Sequence, residues 1–122
     1  MITYEQLAEA IHGLTRLLKR TDGSEIPAWT ELPEPSRKAA VDAVQELIDW
    51  EDWYTEELTP EMAHQVWQER VPLDWKYGEV YCAINKTHPC LVPFDELPYS
   101  EQVKDEVWVT VINLMKPFTH KQ

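Results

Sequence analysis

Glycine and cysteine are scarce in this chain, and each shortage excludes a class of site. Its 122 residues include three glycines, too few for a glycine-rich loop that wraps a phosphate in backbone N–H groups. The two cysteines, Cys82 and Cys90, have seven residues between them, whereas zinc ligands usually come in closer pairs. We therefore expect no metal site and two free thiols, as is usual in a reducing compartment.

Positive charge is also in short supply. Eleven Lys and Arg residues stand against 22 Asp and Glu residues, which gives a net charge of −11. Because nucleic-acid binding depends on clustered cations that displace the counterions of the phosphate backbone, we expect no direct contact with nucleic acid. Two interpretations of the acidic surface remain, which are ordinary solubility and mimicry of a nucleic acid.

Long apolar runs and catalytic motifs are absent as well. No apolar stretch approaches the roughly 18 residues needed to cross a bilayer, and the start MITYEQ has neither the basic nor the apolar region of a signal peptide. The patterns G-x-S-x-G and H-E-x-x-H and the Walker phosphate loop do not occur. We therefore expect a cytoplasmic protein that has no membrane contact, no enzymatic activity and no cofactor.

Amphipathic segments with clear ends make up much of the chain. Over residues 4–20 one helical face is predicted to carry Leu7, Ile11, Leu14 and Leu18, and Thr3 and Gln6 match a capping box at the start of that stretch. A second helix is predicted from Ser36 to about Trp53. A third is predicted between Thr59-Pro60, a capping hydroxyl followed by proline, and Pro72.

Two further segments complete the predicted fold. Residues 80–84, VYCAI, are typical of a short strand. Residues 103–115 fit both an alternating strand pattern and a helical stripe, and their length favours a helix. Since 43% of the residues are hydrophobic, a core can form. We expect a single mainly helical α+β domain over residues 1–122, with about four helices and short extended segments.

Aromatic and acidic residues alternate at the end of the second predicted helix. Trp50, Trp53 and Tyr54 continue its apolar side, with acidic residues at positions 49, 51, 52, 56 and 57. The usual interpretation is an aromatic stripe that faces the core beside a solvated acidic surface. The alternative is a docking surface for a basic partner, which would make the chain a protein-interaction module.

The second half carries two motifs that occur together in a known family. Trp75-Lys76-Tyr77-Gly78 forms a W-x-Y-G pattern, and residues 86–98 read KTHPCLVPFDELP. With His64 on the preceding predicted helix, these motifs make residues 59–116 resemble the ryanodine-receptor-type (RyR) repeat. That repeat consists of a leading helix, a W-x-Y-G turn, an HPCLVP run and a closing helix. The short chain is similar to a small prokaryotic or phage-type member of the family.

The first half contains traces of the same unit. The stretch AWTELP at 28–33 parallels PFDELP at 93–98, and each follows a predicted helix with a histidine, His12 or His64. The chain is therefore predicted either as a helical half at 1–57 followed by an RyR-like unit at 58–117, or as a degenerate tandem repeat with pseudo-twofold symmetry.

The resemblance implies a pocket for adenine nucleotides that is lined by the tryptophan of W-x-Y-G. Trp75 would stack on a planar base, with Tyr77 beside it. Gly78 would permit a positive φ or a close approach of the backbone. Lys86 would supply a point charge for a phosphate; the alternative is that this lysine is simply solvated.

Three polar residues complete the predicted site. Asn85, His88 and Asp105 are expected to hydrogen-bond a base edge or a ribose hydroxyl. The structural alternatives are that Trp75 and Tyr77 fill the core and that the imidazole of His88 satisfies a backbone carbonyl in a turn.

We expect the protein to bind or sequester a small nucleotide-derived ligand without catalysis. Adenine nucleotides, cyclic nucleotides and signals of the ADP-ribose type are the candidate ligands, and a phage protein that removes a host defence signal would suit the resemblance. A homo-oligomer is expected, because one short repeat offers one wall of a two-walled aromatic pocket. A second copy of Trp75, or Trp29 of the first half, would supply the other wall.

Overall fold

The computed structural model describes residues 1–50 and 57–120, and in this part of the chain it is mainly helical with two very short parallel sheets. The helices are α1 (Tyr4–Lys19), α2 (Glu34–Ile48), α3 (Pro60–Arg70) and α4 (Tyr99–Met115). The strands are β1 (Ile2–Thr3), β2 (Lys76–Tyr77), β3 (Thr87–His88) and β4 (Thr119–His120), which pair as β1 with β4 and β2 with β3. The predicted fold class, a mainly helical α+β domain, is confirmed.

The first helix begins where its capping box places it. The Thr3 hydroxyl accepts from the backbone N–H of Gln6, and the Gln6 side chain accepts from the backbone N–H of Thr3. The buried stripe of α1 differs from the expected one, because Leu14 is 45% exposed while Thr15 is buried. A helix with apolar residues on more than one side can turn either side inward, and its packing partners decide which one is buried.

Of the predictions for the two less regular segments, one is confirmed and the other is wrong. Residues 103–115 are helical, as their length indicates, and lie within α4. The strand expected at 80–84 is not formed: Val80 and Ile84 are 73% and 91% exposed, and Cys82 makes a single antiparallel bridge to Thr87. The strand-forming side chains there have no sheet face to cover, so they do not produce a strand.

The core lies where α1, α2 and α4 meet and extends to α3. Leu7, Ile11, Val44 and Ile112 are almost completely buried. Trp50 also belongs to this core, in agreement with the usual interpretation of the aromatic stripe. The rest of the acidic-aromatic segment, at 51–56, lies outside the described residues.

Two short segments share one local geometry. Trp29–Glu31 and Phe94–Glu96 both form a 3-10 turn between extended flanking residues, and each leads into a helix that starts after a proline. In each case a histidine Nε2 of the preceding helix lies 2.7 Å from a carbonyl two residues before the turn: His12 with Pro27, and His64 with Val92. The local likeness favours an internal duplication, which stays a prediction for the two halves as wholes.

Candidate functional site

A cavity of about 310 Å³ opens between α2, α3, α4 and the segment that links β3 to α4. Its wall combines aromatic, apolar and charged side chains. The lining residues are Ala43, Leu47, Ala63, His64, Val66, Trp67, Arg70, His88, Cys90, Leu97, Glu101, Lys104, Asp105 and Trp108.

The two indoles reach the cavity through a shared helical spacing. His64 and Trp67 lie three residues apart on α3, and Asp105 and Trp108 lie three residues apart on α4. Residues at this spacing share a helix face, so each of the two helices presents one polar group and one indole to the cavity. Trp67 and Trp108 are absent from the predicted site. Their i, i+3 spacing from His64 and Asp105 is a sequence signal that groups each indole with a polar residue, and the fold shows that the two helix faces meet at one cavity.

The imidazoles hold Trp67 in place. Its ring stacks on the His64 ring, with centroids 5.5 Å apart and planes at 25°. The His88 ring meets it edge-on at 5.0 Å. Aromatic pairs at these distances and angles contribute roughly 0.5–1.5 kcal/mol beyond the area that they bury. The indole is therefore held between two imidazoles and is preorganised as a flat wall.

His64 has its tautomer fixed by the backbone. The Val92 carbonyl oxygen can only accept a hydrogen bond, so the Nε2 atom 2.7 Å away must carry the hydrogen. The Gln68 amide donates to the same carbonyl at 3.0 Å. The other imidazole nitrogen, Nδ1, lies 3.6 Å from Oδ2 of Asp105. These bonds tie α3 to the segment before α4 and aim Nδ1 of His64 at the carboxyl group.

Asp105 is an acid whose charge is poorly compensated. Burial raises its pKa from the ordinary 3.8 to about 6, against the opposing effects of His64 and Lys104. Its side chain is 18% exposed. In the described part of the chain, His64 provides its one hydrogen-bonding or ion-pair contact. The carboxyl group therefore has capacity for a further hydrogen bond.

The other charged groups of the wall are paired. Glu101 contacts Lys19 at 2.8 Å and Lys104 at 2.9 Å, and these contacts keep the pKa of Glu101 low although burial opposes them. Arg70 pairs with Glu46. Lys104 and Arg70 nevertheless remain partly exposed, so both can also reach an anionic group at the cavity mouth.

His88 and Cys90 form a local turn beside the indole. The backbone N–H of Cys90 donates to Nδ1 of His88 at 3.0 Å, so the neutral imidazole carries its hydrogen on Nε2. Burial and Lys104 lower the pKa of His88, and burial raises the pKa of the Cys90 thiol. His88 thus accepts from a backbone N–H, whereas the structural alternative was a bond to a carbonyl.

The residues predicted from the motifs divide into two groups. His88 and Asp105 line the cavity, whereas Trp75, Tyr77, Gly78, Asn85 and Lys86 lie outside its lining. Trp75 is half-buried and packs on Tyr81 at 5.8 Å, and the Tyr81 ring meets the His88 ring at 5.5 Å. The W-x-Y-G indole is therefore connected to the cavity wall through a chain of rings.

The remaining predicted residues have local partners. Lys86 pairs with Asp74 and has a positive φ of 56°, while the exposed Asn85 donates its backbone N–H to the Cys82 sulfur at 3.5 Å. Gly78 provides the expected close approach, because a Cβ placed there would lie 2.6 Å from the Thr87 Cβ. Tyr77 is 54% exposed and so does not fill the core.

Two properties of the described residues bear on the class of site. None of their helices combines the length and apolar character that a bilayer crossing requires. No group of three or more His, Cys, Asp or Glu side chains among them is arranged to hold a metal ion. The fold and the site thus define a small, mainly helical α+β domain whose cavity is lined by two indoles, two imidazoles and a carboxyl group, Asp105, that contacts one of those imidazoles.

Comparison with known protein families identifies the family of this domain. A family model described as the RyR domain matches residues 39–116, which is well over half of the chain, so the protein belongs to the RyR-domain family. The match begins within α2, earlier than the region 59–116 in which the motifs lie, and it contains all the cavity-lining residues. A comparison with curated protein sequences found no match.

Proposed function

We propose that the cavity binds the planar head group of a small nucleotide-derived ligand and sequesters that ligand without changing it chemically. Adenine nucleotides, cyclic nucleotides and ADP-ribose type signals are the candidates. The observation that carries the proposal is the preorganised Trp67 indole, which lies in the wall of a cavity of about 310 Å³ opposite a helix that brings Trp108 to the same space.

The size of the cavity supports a planar head group. Ligand pockets usually range from about 300 to 1,000 Å³, so this one is at the small end and suits a base or a nucleoside. Stacking of a base on an aromatic side chain contributes roughly 1–3 kcal/mol. A larger ligand would extend its phosphates out of the cavity, and the lining includes two partly exposed cations, Lys104 and Arg70, that could meet them.

The chemical character of the wall supports the same proposal. Apolar side chains such as Leu47, Val66 and Leu97 surround the rings, and a few convergent polar groups are typical of sites that orient a ligand. Removal of a host signal by a phage protein would require tight binding only, which such a cavity can supply alone or in a homo-oligomer.

The test measures binding with the intact chain. AMP, ADP-ribose and a cyclic dinucleotide are titrated while tryptophan fluorescence and the melting temperature are recorded. At a ligand concentration about 100 times Kd, binding stabilises the folded state by about 2.7 kcal/mol, which raises the melting temperature by several degrees. At least one ligand should quench the fluorescence saturably, and mass spectrometry should recover it unchanged. Unchanged fluorescence and melting with all three would contradict the proposal.

A matched pair of variants locates the site. Trp67→Leu removes the indole of the cavity wall, and Trp75→Leu makes the same chemical change at a half-buried indole outside it. We expect Trp67→Leu to abolish binding and Trp75→Leu to retain it, with circular dichroism showing that both variants are folded. The reverse result would support the site predicted from the W-x-Y-G motif and contradict the cavity.

A further inference from the structure

We infer that Asp105 is a specificity-determining residue that selects ligands carrying an N–H donor on the planar group, such as the exocyclic amino group of an aminopurine. The inference rests on the proposed function of the cavity and assigns its wall a chemical preference. It follows from two observations: Asp105 lines the cavity, and its Oδ2 lies 3.6 Å from Nδ1 of the His64 imidazole, which lines the cavity as well.

The tautomer of His64 determines which group faces Asp105. Because Nε2 donates to the Val92 carbonyl, a neutral imidazole leaves a bare lone pair on Nδ1. That lone pair faces Oδ2 of Asp105 at 3.6 Å. A protonated Asp105 can donate from Oδ2 toward that lone pair, and an ionised Asp105 has acceptors on both oxygens.

The second oxygen of Asp105 is an acceptor in both protonation states. When Asp105 is ionised, its Oδ1 accepts hydrogen bonds. With the proton on Oδ2, the remaining Oδ1 is a carbonyl oxygen and accepts as well. Asp105 therefore contributes an acceptor to the cavity lining whether or not it is protonated.

No cation neutralises this acceptor directly. Glu101 has two lysine partners, and Arg70 has Glu46, but the described part of the chain gives Asp105 no lysine or arginine contact. The raised pKa of Asp105 reports the cost of this buried, weakly compensated charge. An N–H group of a ligand would supply the missing hydrogen bond, and a ligand that lacks one would leave the oxygen unsatisfied.

The experiment compares adenosine with purine riboside, which differs by lacking the 6-amino group. Both are uncharged, so the net charge of −11 affects them equally. Hydrogen bonds to charged groups are strong enough that adenosine should bind about ten- to a hundredfold more tightly to the natural protein. Isothermal titration calorimetry measures both Kd values and their ratio.

Two variants assign the preference to Asp105. Asp105→Leu removes the acceptor at similar size and should bring the two Kd values within about twofold of each other. Asp105→Asn can donate from Nδ2 toward the bare Nδ1 of His64 and keeps Oδ1 as an acceptor, so it should retain a preference above about threefold. Retention in the Asn variant and loss in the Leu variant is a result that a merely structural role of Asp105 does not predict.

The failures of the two proposals are distinguishable. If both nucleosides bind the natural protein with equal affinity, the role of Asp105 is wrong while the cavity proposal stands. The same holds if the Leu variant binds and keeps the full preference. If neither nucleoside binds at millimolar concentration, and AMP and ADP-ribose also fail, the cavity proposal fails and the role of Asp105 fails with it.

Discussion

Replacing Asp105 by asparagine should stabilise the folded protein at neutral pH and leave its stability nearly unchanged in mild acid. The substitution keeps the shape of the side chain and removes a charge that burial disfavours. The groups that act on Asp105 are His64 on α3, Lys104 and Glu101 on α4, with His64 and Lys104 lowering its pKa and Glu101 raising it. An asparagine amide can donate to Nδ1 of His64, so the imidazole keeps a partner.

The magnitude follows from the pKa. Burial raises the pKa of Asp105 from 3.8 to about 6, and each tenfold change in proton affinity corresponds to about 1.4 kcal/mol, so the full effect is about 3 kcal/mol. Because the side chain is 18% exposed, water relieves part of this cost, and the buried amide of the variant has a cost of its own. We expect a net gain of about 1–2 kcal/mol at pH 7.

The sign and the pH window distinguish this effect from others. Between pH 3.8 and about 6 the folded state binds the Asp105 proton more tightly than the unfolded state does, so this group lowers stability as the pH rises through the window. Above about pH 6 the loss of stability caused by this group is complete. Asp22, with a pKa lowered to about 2, and Asp74, whose pKa is also lowered, act in the opposite direction at lower pH. Both carboxyl groups are present in the natural protein and in Asp105→Asn, so they do not contribute to the difference in stability.

The assay is urea denaturation at pH 4, 5, 6 and 7, followed by tryptophan fluorescence. The natural protein and Asp105→Asn should have similar free energies of unfolding at pH 4 and should diverge as the pH rises, with equal dependence on urea. Asp95→Asn removes one carboxylate from an exposed position and controls for net charge. A difference that does not vary with pH, or an Asn variant that is less stable at pH 7, would refute the reasoning.

Three further substitutions test packing away from the cavity. Thr15→Val should raise the free energy of unfolding by about 1 kcal/mol, because the buried Thr15 hydroxyl has no hydrogen-bond partner in the described part of the chain; a destabilised variant in urea denaturation would contradict this. Gly78→Ala should cost about 1–3 kcal/mol, since its Cβ would lie 2.6 Å from the Thr87 Cβ. Gly13→Ala, with open space around it in α1, should instead gain about 0.5–1 kcal/mol, and equal thermal shifts for the two alanine variants would show that the close approach is unimportant.

Helix ends and the family motifs were predictable because they depend on residues close together in sequence. Thr3 and Thr59 cap α1 and α3 through bonds to backbone groups three residues ahead, so the local chain suffices to place them. The choice between strand and helix for residues 103–115 was settled in favour of α4, as the length of the segment indicated. The strand-forming residues at 80–84 predicted a strand wrongly, since such residues form a strand only where a neighbouring sheet face exists to be covered.

By itself, the sequence determined the helical class, the caps and the family motifs, and it pointed to His88 and Asp105 as polar residues of a site. Only the tertiary structure decided which indoles line the cavity, because Trp67 and Trp108 come from helices that meet in space while Trp75 packs on Tyr81 outside the lining. It also decided the chemistry of Asp105, since a carboxyl group changes its proton affinity when burial removes water and when a distant residue such as His64 is brought against it. Burial and contacts between distant residues exist only in the folded chain, and the spacing of residues along the sequence does not record them.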